Sequence, residues 1–189
     1  MKDQATKAIA ILKNGGVIVF PTDTVWGIGA ALNSKQGVEK LYQIKKRQPQ
    51  KPTALLVSDI NMANRYGVMD KLAWEIANKF WPGALTLVVT TKGNAVPKTV
   101  TGGTKTVGLR VPDHILVTNL IKNLDQPLVA ASANFSGLPA PITRQDLDPY
   151  LVKLADYVVD GESSGQPSST VVDVTGDTTR ILRPGPINL

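Results

Sequence analysis

The stretch Val17-Ile-Val-Phe-Pro-Thr-Asp-Thr-Val-Trp-Gly-Ile-Gly29 constrains this chain more than any other. Its first four residues are apolar and mostly β-branched, which predicts a strand buried on both faces of an α/β sheet. Pro21 ends that strand, because proline brings no N–H to a sheet ladder. Thr22, Asp23 and Thr24 then place two hydroxyls and a carboxylate where open α/β sheets hold their ligands. Gly27 and Gly29 lack the Cβ that would keep a bound molecule off the backbone. A strand followed by an ordinary polar turn is the competing reading of the same residues.

Around this stretch the sequence alternates strands and helices. Ala5, Ala8, Ile9 and Leu12 fall at helical spacing behind Asp3 as a cap, and Gly15-Gly16 ends the helix. A second helix is predicted over about Ser34 to Lys46 and runs into the cationic, proline-held loop 45–52. Ala54 to Val57 and Leu85 to Thr91 read as strands, with a helix from about Asp70 to Phe80 between them, broken by Trp81-Pro82-Gly83. Residues 93–105, rich in Gly, Thr and Lys, predict a mobile loop. Val107 to Val111 is a strand carrying Arg110 in its interior, and a buried cation requires an anionic partner. Asp113 is read as the cap of a helix bearing Val117, Leu120, Ile121 and Leu124. Leu128 to Ala131 is a strand that empties into Ser132-Ala-Asn134. A helix over about 146–155, a short strand at 157–160 and a hairpin of Ser168–Val174 with Arg180–Arg183 complete the pattern.

Composition narrows the function classes. The 189 residues suit one domain, 1–189, able to bury its core without staples. The absence of cysteine excludes disulfides, thiol catalysis and thiolate metal sites. A single histidine, His114, removes histidine-cluster metal sites and argues against a histidine-based triad. The first residues read as a polar helix and not a signal peptide, and no apolar run approaches the roughly 18 residues of a membrane span, so a soluble, cytoplasmic protein is expected. A net charge of +6 favours anionic partners.

Three strands end in small polar residues: Thr22 to Thr24, Ser132 to Asn134, and Ser168 to Thr170. Lys45, Arg47 and Arg183 stand in or beside loops. Hydroxyls, amides and cations converging on one pocket suit a phosphate-bearing ligand, because hydrogen bonds to charged oxygens are short and strong. Gly102-Gly-Thr-Lys-Thr106 lacks P-loop spacing, and Leu32 breaks a dinucleotide fingerprint after Gly27 and Gly29. A nucleotide would therefore be held by scattered side chains. Solvated loops and structural salt bridges account for the same cations without a ligand. Packing is the preferred reading of Trp26 and Trp81, as is a structural role for His114.

Seven stretches carry a resemblance: Pro21-Thr-Asp-Thr-Val-Trp-Gly-Ile-Gly29, Lys45-Lys-Arg47, Trp81-Pro-Gly83, Val107-Gly-Leu-Arg-Val-Pro-Asp-His114, Ser132-Ala-Asn134, Ser168-Ser-Thr170 and Leu182-Arg-Pro-Gly185. Each is weak alone. In this order and over nearly the whole chain they make it similar to the YrdC/Sua5 family of threonylcarbamoyl-AMP synthases, in its short single-domain form. The resemblance implies a single α/β domain whose twisted, mixed parallel/antiparallel sheet, with flanking helices, curls around a basic cavity. It implies synthesis of L-threonylcarbamoyl-AMP from L-threonine, bicarbonate and ATP, releasing pyrophosphate, with Mg²⁺ expected beside ATP and no protein-held metal. Downstream proteins would transfer the product to tRNA as t6A, and tRNA itself is a possible partner.

By the same matching, the catalytic tetrad falls on Lys45, Arg47, Ser132 and Asn134. Thr24, Arg110 and Ser169 would hold threonine, with Arg110 facing its carboxylate. Arg47, Lys51, Thr106, Ser132 and Arg183, with the backbone at Ala130 and Ala140, would hold ATP. Lys51 lies in a variable loop, and a histidine that some members of the family carry in this strand is absent at Leu55-Leu56. The loops 93–105 and 161–167 are two candidate lids. The rival reading is a tRNA or double-stranded-RNA-binding module without catalysis, which the absence of an aromatic stacking surface disfavours. A carbamoyltransferase-like domain is a third.

Overall fold

The computed structural model describes residues 2–48 and 50–189. Its elements, in chain order, are α1 (Lys2–Lys13), β1 (Val17–Phe20), β2 (Gly27–Ala31), α2 (Lys35–Ile44), β3 (Ala54–Leu56), α3 (Ile60–Tyr66), α4 (Lys71–Phe80), β4 (Leu85–Thr90), α5 (Lys98–Thr101), β5 (Thr106–Arg110), α6 (Ile115–Leu124), β6 (Leu128–Ser132), α7 (Pro149–Leu154), β7 (Tyr157–Val158), β8 (Thr170–Asp173) and β9 (Arg180–Arg183). Among the described residues the strands form one mixed sheet in the order β7-β1-β2-β6-β3-β5-β4-β8-β9. The pairs β1–β7, β3–β5 and β4–β8 are parallel and the remaining neighbours antiparallel. This is the mixed sheet with flanking helices that the resemblance implies.

The period of two along a strand divides this sheet into two chemically different faces. On one face Val129, Leu55, Leu109, Leu87 and Val172 stand opposite one another in a continuous row across β6, β3, β5, β4 and β8. All five are fully buried. Burying each is worth about 1.5–3 kcal/mol by apolar-area bookkeeping, so the row holds the strands in register. The opposite face carries the small or polar residues Gly27, Ala54, Gly108, Ala130, Thr86 and Arg110 among the apolar Leu56, Val88 and Val171. They leave a cavity where a second apolar layer would otherwise pack.

The central stretch folds differently from its first reading. Val17–Phe20 is a fully buried strand as expected, but Gly27 and Gly29 belong to β2, a second strand paired back onto it. The two glycines make room for a ring and a backbone, and Gly27 also lines the cavity. A Cβ on Gly27 would lie 2.8 Å from Phe20 Cε2, and one on Gly29 would lie 2.9 Å from the Val129 carbonyl oxygen and 3.2 Å from Phe20 Cε1. Phe20 therefore lies along β2 because both positions lack side chains.

Other boundaries shift for local reasons. Asp3 sits inside the first turn of α1, where its charge complements the helix dipole, and is not the cap. His114 occupies the N-cap of α6 in place of Asp113, and its side chain makes no cap bond. The helix expected over 146–155 is a 3₁₀ turn, Arg144–Asp146, followed by α7, because Asp148 and Pro149 start a new helix there. Residues 93–105 form no free loop. Val100 is fully buried in α5, its carbonyl accepts from the Thr53 amide at 2.9 Å, and Gly102 (φ +63°) passes so close to Gln50 O that no Cβ fits. The link 161–167 runs over Pro21 and Thr22: Ser164 donates its amide to Thr22 O at 3.2 Å, and Gly161 lies against the Pro21 ring.

Gly29→Ala is expected to lower stability by about 1–3 kcal/mol, the usual cost of overpacking. Gly176→Ala, at a glycine with nothing within 4 Å, should be near neutral. Paired thermal melts check this: equal melting temperatures for the two variants would contradict the packing argument.

Candidate functional site

The cavity on the open face of the sheet has a volume of about 330 Å³. Each wall comes from a different element. The β1–β2 loop brings Thr22 and Thr24, the loop after α2 brings Arg47, β4 brings Thr86, β5 brings Arg110, β6 brings Ala130 and Ser132, the lead into β8 brings Ser169, and β9 brings Arg183. The charged side chains among these lining residues are Arg47, Arg110 and Arg183.

Arg110 is the best-determined group. It is 6% exposed, and three segments fix its guanidinium. Nε donates to Gly83 O at 2.9 Å, one terminal nitrogen to Thr24 Oγ1 at 3.0 Å, and the other to Asp23 Oδ1 at 2.6 Å. The Gly83 carbonyl is available because the chain turns sharply after α4. A Cβ there would sit 2.6 Å from Phe80 O, so Trp81-Pro82-Gly83 is more than a helix breaker. Burial pulls the Arg110 guanidinium down from its ordinary value, while Asp23 acts against that shift. The anionic partner that a cation inside β5 required is thus Asp23, itself 7% exposed.

The hydroxyls near Arg110 are tied to each other and to the backbone. Thr22 Oγ1 donates to Val25 O at 2.7 Å and lies 3.1 Å from Thr24 Oγ1. On the far wall Thr86 Oγ1 and Ser169 Oγ share a 2.8 Å bond. Arg183 grips the same serine, donating to Ser169 O at 2.7 and 3.1 Å and to Ser169 Oγ at 3.1 Å. Burial, then the charge of Arg110, pulls Arg183 down from its ordinary value. Arg47 donates to Pro52 O at 2.6 Å and to Lys51 O at 3.3 Å, holding its own loop while facing the cavity.

Of the residues singled out in the sequence, Thr24, Arg47, Arg110, Ala130, Ser132, Ser169 and Arg183 line this one cavity. Lys51, Thr106 and Ala140 do not. The Lys51 side chain is exposed, and Thr106, on the Arg110 face of β5, lies beyond Gly108 in hydrogen-bond reach of Thr104. Lys45 and Asn134 stand behind the wall. Lys45 is 2% exposed and donates Nζ to Ser132 O at 2.5 Å and Asn134 O at 2.7 Å. Asn134 accepts from Ser132 Oγ at 2.5 Å and donates to Leu138 O at 2.5 Å. The lysine and the amide therefore shape the end of β6. Thr86 was not singled out, and Asp23, read as part of the polar turn, was not paired with Arg110, although an arginine inside a strand asks for a carboxylate and Asp23 is the one in that turn.

His114, Trp26 and Trp81 lie outside the lining residues. His114 Nε2 is 3.4 Å from Glu162 O, Trp26 is fully buried, and Trp81 donates its indole N–H to Leu85 O at 2.8 Å. Among the described residues no three His, Cys, Asp or Glu side chains come together. A cavity whose charged walls are arginines, and whose nearest carboxylate is taken by Arg110, does not fit a protein-held Mg²⁺.

This combination of sheet and arginine-and-hydroxyl cavity defines a class. The chain belongs to the Sua5/YciO/YrdC family, whose model, described as "Telomere recombination", matches residues 10–185. It is 37% identical over 186 residues to the threonylcarbamoyl-AMP synthase of Bacillus subtilis, covering 97% of this chain and 54% of that protein. It is 33% identical over 178 residues to the threonylcarbamoyl-AMP synthase of Stenotrophomonas maltophilia, covering 92% and 95% respectively. The crystal structure of P. abyssi Sua5 complexed with L-threonine superposes with a TM-score of 0.88 at 30% identity, covering 96% of this chain and 54% of that one. The chain thus spans about half the length of the Bacillus and P. abyssi proteins.

Lys45 makes the wall sensitive to pH. Burial, then the nearby Arg47 charge, pulls its ammonium from 10.5 down to about 8. Folded Lys45 holds its proton less tightly than unfolded Lys45. The unfolded chain therefore binds more protons between those two values, and stability rises with pH across that window. The cost of burying the cation, fully present below about pH 8, corresponds to roughly 3 kcal/mol at 1.36 kcal/mol per unit. Denaturant unfolding of the parent and of Lys45→Met at pH 7 and pH 10 isolates this contribution. The parent should gain stability relative to the variant as pH rises, and parallel pH profiles would contradict the assignment.

Proposed function

We propose that the chain is an L-threonylcarbamoyladenylate synthase, using L-threonine, bicarbonate and ATP. The carrying observation is the juxtaposition, in one cavity, of a hydroxyl-ringed arginine with two arginines on other walls. Arg110, Thr24 and Ser169 suit an amino acid: a guanidinium for the carboxylate and hydroxyls for the amine and side-chain oxygen. Arg47 and Arg183 suit the triphosphate, with Ser132 and the backbone at Ala130 beside them. Lys51, Thr106 and Ala140 are retained as outer ATP contacts from the family matching. They would have to reach the nucleotide from outside the cavity's lining. The relatives named threonylcarbamoyl-AMP synthase and the P. abyssi complex with L-threonine support the same reading.

The chemistry needs no protein nucleophile. The threonine amine adds to bicarbonate-derived CO₂ and loses a proton, giving a carbamate. A carbamate oxygen then forms a bond to the α-phosphorus while the bond to the β-phosphate oxygen breaks, and pyrophosphate leaves. The arginines bring two anions together and cover the charge on the departing group, which is positioning plus electrostatic stabilisation. Mg²⁺, if used, would arrive with the triphosphate. The product would then serve proteins that modify tRNA to t6A, and direct tRNA contact is no part of the reaction proposed.

Pyrophosphate release should require L-threonine and bicarbonate together and proceed without tRNA. Serine should serve less well, since losing one methyl contact costs about 1–3 kcal/mol in a fitted pocket. Release at full rate in degassed, bicarbonate-free buffer, or release only after tRNA is added, would favour a different activity. Arg183→Ala and Arg47→Ala should each lower product formation at least about 100-fold, the scale for losing a group that stabilises transition-state charge. Rates within a few-fold of the parent would remove those residues from the ATP site.

A further inference from the structure

We propose that Asp23 is a positioning residue that divides the cavity between its two anionic substrates, keeping the Arg110 subsite for the amino-acid carboxylate and excluding the triphosphate. The inference rests on the synthase reading and deepens it. A synthase of this kind must bind a singly charged carboxylate and a polyphosphate side by side. The strongest electrostatic attraction of the cavity should not deliver phosphate into the amino-acid place.

The arginines differ in one respect that bears on this. Arg110 is paired with Asp23 at 2.6 Å, both side chains being less than a tenth exposed. Among the described residues, Arg47 and Arg183 are in no ion pair: Arg183 holds neutral Ser169 atoms and Arg47 holds backbone carbonyls. The Arg110–Asp23 pair is formally neutral, so it presents hydrogen-bond donors with little net charge, while the other two arginines present full charge. Gly83 O, Thr24 Oγ1 and Asp23 Oδ1 occupy three of the five guanidinium N–H groups, which leaves two for a ligand. Two N–H groups match the two oxygens of one carboxylate. Asp23 is excluded from the lining residues, so it acts through Arg110 and does not reach the substrate itself. Its negative charge, 2.6 Å from one guanidinium nitrogen, also repels a polyanion, which is discrimination by an unfavourable element.

Without that charge, Arg110 would become an unbalanced buried cation in the same cavity as Arg47 and Arg183. It should then compete with Arg47 and Arg183 for phosphate. A purely structural ion pair predicts something else: loss of stability with threonine and ATP affinities falling together.

Asp23→Asn preserves shape and an acceptor oxygen while removing the charge. Calorimetric titrations of parent and variant with L-threonine, ATP and inorganic pyrophosphate separate the readings. In Asp23→Asn, threonine affinity in the presence of pyrophosphate should fall at least about 10-fold, because the unbalanced guanidinium then takes up phosphate in place of the carboxylate. ATP affinity should hold or rise, and pyrophosphate should displace threonine. Unchanged threonine affinity, or equal losses for threonine and ATP, would overturn the role of Asp23 while leaving the synthase reading intact. Should Asp23→Asn not fold, the parent alone decides. Its threonine affinity should be insensitive to saturating pyrophosphate, and direct competition would overturn the proposal. A parent that binds no threonine overturns the synthase reading and this inference with it.

Discussion

The Arg110 guanidinium is the interaction on which this site depends. A cation inside a sheet is tolerated only when its charge is answered, and leaving that partner out is costly. Here the answers come from Asp23 and Thr24 in the β1–β2 loop and Gly83 after α4. These segments are distant in sequence, so the single side chain fixes how the loop at one wall of the cavity stands against the strand at another. The sharp turn at Gly83, the polar loop after Pro21 and the small residues of β6 and β3 form one arrangement around it.

The sheet makes that arrangement possible by giving its two faces different work. Stability comes from the row running from Val129 to Val172, where five strands present fully buried aliphatic residues in register. The other face is then free to carry Gly108, Ala54 and Ala130, which contribute little burial but leave space. Lys45 illustrates the cost of such a design. It brings a desolvated charge under the end of β6 so that two carbonyls, Ser132 O and Asn134 O, converge on one ammonium and the wall keeps its shape.

The sequence made the apolar strands legible because parallel and central strands need continuous apolar runs, and β1, β4 and β6 have them. β2 was hidden. Its residues, Gly-Ile-Gly-Ala-Ala, have weak strand propensity, and it exists because β1 and β6 pair with it on both sides. The same glycines read locally as ligand-approach positions, whereas the Phe20 ring that needs them is seven and nine residues away. The apparent mobility of 93–105 failed for a related reason: composition describes solvent preference, and Val100 is buried by a loop that composition does not connect to it. Within the site, residues at strand ends were recoverable because their polarity interrupts an apolar run. Lys51, Thr106 and Ala140 rested on family matching alone, and the cavity does not gather them. Whether a side chain faces the cavity or the wall behind it, as with Lys45 and Asn134, depends on tertiary packing and has no sequence signal.

Asp23, visible in the sequence as a polar-turn carboxylate but not as a partner of Arg110, shows how far charge reasoning reaches. Arg110 demanded a carboxylate, and the sequence offered one in the polar loop, but a ligand's carboxylate would have met the same demand. The fold resolves this by using both kinds of answer at once. Asp23 takes one N–H of the guanidinium at 2.6 Å, Gly83 and Thr24 take two more, and two N–H groups are left over. A fully satisfied arginine would have been structural only, and an unsatisfied one would have been unstable when buried and indiscriminate toward anions. Partial satisfaction would let one side chain hold the fold together and still recognise a ligand, as the proposed reading requires. It also places the cavity's net positive charge on Arg47 and Arg183, on the walls where a polyanion has room to be held.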